Sequence, residues 1–101
     1  VANPTRLPQL PDVPTFAELG YKNVEAAAQV GVVAAAGTPA DVVAALQKQI
    51  TTAIQQPAVR QKLIDFGIEP VGSTSQQYAD LIRTEVKRWH KLIREQKISL
   101  D

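Results

Sequence analysis

The stretch Val32-Val33-Ala34-Ala35-Ala36-Gly37-Thr38-Pro39-Ala40-Asp41, followed by a long amphipathic run, constrains the fold more than any other part of the chain. A threonine before a proline, with a carboxylate three residues on, marks a helix start. Thr38 can accept from orphan backbone N–H groups as N-cap. Pro39 then takes the first helical position, where its missing donor costs nothing, and Asp41 faces the positive helix end. Val32 and Val33 upstream read as a buried strand, so the unit is strand, glycine turn, helix. That succession predicts an α/β class.

The flanking segments extend the pattern. Pro4, Pro8, Pro11 and Pro14 make residues 1–14 an extended, non-helical lead-in. Thr15 and Glu18 fit a capping box, and Gly20 suits the left-handed residue that closes a short helix over 15–19. Val30, Val32 and Val33 around Gly31 predict a strand at about 29–35. From Pro39 to about Gln56, the residues Val42, Val43, Leu46, Ile50 and Ile54 form one apolar stripe. Pro57 opens the next helix, with Val59, Leu63 and Phe66 on its buried side and Gly67 at its end. Ile68–Val71 reads as a short strand or extended link, where Pro70 favours a sheet edge. Thr74 and Gln77 give a second capping box. The last helix runs to roughly Gln96, with Tyr78, Leu81, Ile82, Val86, Trp89, Leu92 and Ile93 at helical period and Glu85 interrupting them. Ile98-Ser99-Leu100 completes the pattern as a final edge strand.

This pattern has a deficit. Several amphipathic helices need an apolar partner, while one convincing buried strand is present, and a parallel sheet needs neighbours and two covered faces. The chain reads as the closing part of a larger α/β protein.

Chemistry-bearing residues are sparse. Eleven Lys+Arg against ten Asp+Glu leave a net charge of +1, which gives no electrostatic footprint for nucleic acid or an anionic membrane. There is no cysteine, so disulfide and thiolate chemistry are excluded. His90 is the sole histidine and sits among Lys87, Arg88, Lys91 and Arg94, a solvated basic face. Ser73, Ser75 and Ser99 lack the glycine-flanked elbow of a nucleophile, and no carboxylate pair is spaced for acid–base work. The residues predict no enzyme and no cofactor. Gly37 and Thr38 could help a helix N-terminus contact an anion, although capping explains the same residues. Trp89 is read as anchoring its helix to the core rather than stacking on bases.

Taken together, Leu10-Pro11-Asp12-Val13-Pro14-Thr15-Phe16-Ala17-Glu18-Leu19-Gly20-Tyr21, Gly31, Ala36-Gly37-Thr38-Pro39, Gly67-Ile68-Glu69-Pro70-Val71-Gly72-Ser73-Thr74, Glu85 and Trp89 resemble the Bug family. These are the solute-binding proteins of tripartite tricarboxylate transporters, and the resemblance is to their C-terminal third. It implies a periplasmic, two-lobed α/β receptor that closes on a small organic carboxylate and delivers it to a membrane permease. Residues 1–28 would then belong to the second lobe and hinge, and 29–101 to the C-terminal part of the first lobe. The implied fold is a partial periplasmic-binding-protein-like domain, helix-rich with a small sheet and completed by association. Gln29 and Gly31 lie nearest the expected cleft and are the implied ligand contacts. Gln29 stands where the family usually has an aromatic, and Ala35 where it commonly has a proline. The resemblance implies a truncated receptor whose ligand binding is reduced or lost. The alternative is a freestanding interaction module that forms a homodimer through surfaces bared by truncation. By resemblance the protein is periplasmic; this chain shows no signal peptide, so it would be cytoplasmic if it were the complete product.

Overall fold

Local signals place three helices in the computed structural model, which describes residues 1–100. Helix α1 spans Ala40–Gln55, α2 spans Pro57–Asp65 and α3 spans Ser75–Glu95. Pro57 opens α2 at its first position, where no N–H is needed. Thr74 caps α3 by accepting from the Gln77 amide (3.1 Å), while the Gln77 side chain accepts from the Thr74 amide (2.9 Å). Both halves of the expected box are therefore made.

The start of α1 differs by one residue from the sequence expectation. Pro39 is the N-cap, and no side chain caps the helix. The Thr38 hydroxyl instead donates to the Ala35 carbonyl at 2.7 Å, beside the Thr38 amide at 3.2 Å. Both bonds close the turn 35–38, whose third residue, Gly37, has φ 83°, as a type II turn requires. The hydroxyl thus faces upstream, away from the orphan amides of α1.

Three chain reversals share one closure. Tyr21, Ile68 and Ile98 each donate a backbone N–H to the carbonyl five residues back. The residue before each is left-handed: Gly20 (φ 87°), Gly67 (φ 76°) and Lys97 (φ 51°). Around Thr15 this gives a single hydrogen-bonded turn rather than a helix, with the Phe16 and Tyr21 rings edge to face at 6.1 Å. At the C-terminal end the same closure occupies Ile98, so the expected edge strand at 98–100 is not formed.

No strand is present among the described residues, so the small sheet is not seen. Residues 29–35, where the strand was expected, carry no regular secondary structure, and no ladder is formed there. A lone strand leaves its N–H and C=O groups without partners. The helix-rich part of the expectation holds, as three helices joined by segments without regular secondary structure.

Helices α1 and α2 pack on each other, and the turn before α3 is pinned to α1. The Gln47 side chain donates to the Ser73 carbonyl (3.1 Å) and to the Thr51 hydroxyl (3.0 Å). On α1 the half-buried positions are Val43, Gln47, Thr51 and Ile54; Val42, Leu46 and Ile50 remain exposed. Phe66, expected on the buried side of α2, is 80% exposed. Thr15, at 2% exposure, is the one buried residue described, and no apolar side chain is buried.

Area quantifies this openness. The accessible surface is 8461 Å², whereas a compact monomer of this mass exposes about 5,600 Å². The radius of gyration is 16.7 Å, against about 13 Å for a compact domain of this length. Some 2,800 Å² of surface therefore stands uncovered.

Candidate functional site

The expected contacts lie on the segment before α1 and on the turn that ends it. Gln29 is exposed and stands two residues before Gly31. A Cβ built on Gly31 would overlap the ring of Tyr78 on α3, so this position accepts only glycine while the ring stays in place. Gly37 and Thr38 lie in the 35–38 turn, separated from the first pair by residues 32–36. At that turn the first amides of α1 have no intrahelical partner, and the Asp41 carboxylate already occupies the first helical turn.

A second cluster lies where residues 23–26 meet α3. Arg88 donates to the Glu25 carbonyl, and its guanidinium stands 5.2 Å from the Trp89 ring centroid. Trp89 donates its indole N–H to Glu85 Oε2 at 2.8 Å, and Arg88 pairs with Glu85 at 3.6 Å. Asn23, Val24, Trp89, Lys91 and Leu92 line a shallow, open groove beside these groups. Trp89 is 38% exposed, so it anchors no core; its indole closes a polar cluster instead. Glu85, which broke the apolar stripe in the sequence, is the acceptor at its centre. No spacing rule could reveal the tie from Arg88 to Glu25, because 63 residues separate them.

The lead-in carries an ion pair of its own. Arg6 Nε donates to both Glu18 carboxylate oxygens at 3.0 Å, and its Nη1 to the Pro11 carbonyl at 2.9 Å. Glu18 also accepts from the Thr15 amide at 2.7 Å. Hydrogen bonding from Arg6, aided by the Thr15 amide, holds the Glu18 carboxyl below its ordinary value. A depressed carboxyl stabilises fully above its unfolded value, and that contribution fades as pH falls through the folded one. Arg6→Ala is expected to raise the Glu18 titration toward that of a free carboxyl, followed by carboxyl-carbon NMR. An unchanged midpoint would mean that Arg6 is not the cause.

Among the described residues, no group of three His, Cys, Asp or Glu side chains is placed to hold a metal ion. No helix among the described residues is long and apolar enough to cross a membrane.

Residues 1–98 match a sequence model of a family described as "Tripartite tricarboxylate transporter family receptor". The chain is 42% identical over 95 residues to the "UPF0065 protein in tcbD-tcbE intergenic region" of Pseudomonas sp. (strain P51). That match covers 93% of this chain and 28% of the relative. "Protein BugT" of Bordetella pertussis is 36% identical over 90 residues, covering 89% of this chain and 28% of its own length. The chain thus spans little more than a quarter of the curated relatives it matches.

Proposed function

Given that the chain belongs to the tripartite tricarboxylate transporter receptor family, we propose that it is the closing part of a receptor for small organic carboxylates. In this reading residues 1–28 serve the second lobe and the hinge, and 29–101 close the first lobe. The receptor acts in the periplasm and passes its ligand to a membrane permease; it is neither an enzyme nor dependent on a cofactor. Gln29 and the backbone at Gly31 face the ligand, and the turn at Gly37 and Thr38 offers an anion contact at the start of α1. The single observation that carries this is the family match along residues 1–98.

Ligand binding to the folded state alone raises stability, by about 2.7 kcal/mol at a hundredfold excess over the dissociation constant. The melting temperature should therefore climb with citrate or succinate at constant ionic strength, and not with chloride. A flat melting temperature across both acids would defeat the carboxylate reading.

A second reading is an interaction module that dimerises. The uncovered apolar positions of α1 (Val42, Leu46, Ile50) and of α3 (Ile82, Val86, Ile93) support it.

A further inference from the structure

The half-buried positions of α3 are unusual for an amphipathic helix. They are Tyr78, Ala79, Leu81, Glu85 and Arg88, while Ile82, Val86, Trp89 and Ile93 are exposed. Residues 78, 81, 85 and 88 share one face at helical spacing. The segment before α1 meets that face at two places. Its Glu25 end is held by Arg88, and its Gly31 end rests on the Tyr78 ring. The lengths agree. Tyr78 to Arg88 is about 15 Å of helix at 1.5 Å per residue. Glu25 to Gly31 can reach at most about 20 Å of chain. The segment therefore runs antiparallel to α3 and is tied at both ends.

We propose that Tyr78 is a positioning residue for Gln29–Gly31, its ring seated on the bare Gly31 backbone so that α3 fixes where Gln29 points. The Arg88–Glu25 bond, braced by Glu85 and Trp89, is the second tie of the same strap. The idea rests on the reading of Gln29 and Gly31 as ligand contacts. It adds that their placement is built by α3, and a segment fixed in advance loses less conformational freedom when ligand binds. Because Gly31 lacks a Cβ, the ring approaches the main chain itself, and the contact sets backbone position rather than a side-chain rotamer.

Two readouts separate positioning from general stability. Beside the hydroxyl end of the Tyr78 ring, the Gly31 α-protons should be displaced from their random-coil position by the ring current, in the chain as it is and in Tyr78→Phe. In Tyr78→Leu that displacement should vanish, and citrate or succinate should bind roughly tenfold more weakly, equivalent to about 1.4 kcal/mol. Tyr78→Phe should bind like the unaltered chain. The Trp89 indole N–H resonance, further along α3, checks that the helix persists in each variant. Gly31→Ala is the second variant: it attacks the contact from the other side without touching α3, and should weaken binding likewise. Unshifted Gly31 protons in the unaltered chain, or Tyr78→Leu and Gly31→Ala binding at full strength, would overturn the proposal. If neither acid binds the unaltered chain, the receptor reading falls, while the Gly31 resonances still decide whether the strap exists.

Discussion

At micromolar concentration the 101-residue chain is expected to sediment as a species larger than 11.0 kDa, and Leu46→Asp to return it toward the monomer. The reason is area. A stable interface takes about 800 Å² from each partner, and this chain leaves about 2,800 Å² beyond what a compact monomer of its mass exposes. Leu46 is 49% exposed and lies with Val42, Ala45 and Gln49 along an open concavity on α1. A carboxylate there must lose its water or keep the stripe wet, either of which should weaken association at least tenfold, about 1.4 kcal/mol. Lys48→Asp is the control, since it makes the same demand on helix propensity at an exposed position outside the stripe. An 11.0 kDa species at every concentration would end the argument. Equal behaviour of the two variants would move the contact elsewhere.

What the sequence disclosed divides by distance along the chain. The pairs Thr15/Glu18 and Thr74/Gln77 were legible because a capping box needs only residues three apart. Gly20 and Gly67 were legible because a left-handed closure demands a residue without a Cβ. Lys97 adopts the same conformation without that signature, so its neighbours Ile98–Leu100 passed for a strand. At Thr38, turn closure and capping call for the same hydroxyl, and the choice depends on where the preceding carbonyl points.

The strand at 29–35 failed for a different reason. Valine spacing reports how well a segment would fit a sheet, not whether a partner strand exists. The same limit hid the strap. Glycine at position 31 and tyrosine at 78 carry no mutual signal, yet their contact, with the Arg88–Glu25 bond, decides which face of α3 is covered. Helical period identified the apolar stripe of α3 correctly, but the face in use is the neighbouring one, where Glu85 and Arg88 supply polar ties.

Gly72→Val is expected to lower stability by roughly 3 kcal/mol, more than the same change at Gly67, because two costs coincide at Gly72. Its φ of 66° already penalises any side chain. An added Cβ would also lie 3.3 Å from Thr51 Cγ2 and 3.4 Å from Ile54 Cδ1 on α1. Gly67, at φ 76°, has open space where its Cβ would stand, so substitution there costs backbone strain alone, about 1–2 kcal/mol. The contact with Thr51 is already tight for a Cβ alone, so valine's two methyl groups are expected to push the turn away from α1. That movement would also break the Gln47 bond to the Ser73 carbonyl, which holds the entry to α3. Urea midpoints followed by far-ultraviolet circular dichroism compare the two sites directly. A deficit at Gly72 that exceeds the one at Gly67 isolates the packing of the turn on α1 from backbone strain. Equal deficits would mean that the turn does not rest on α1, and that α3 is tethered to the helical pair by covalent connection alone.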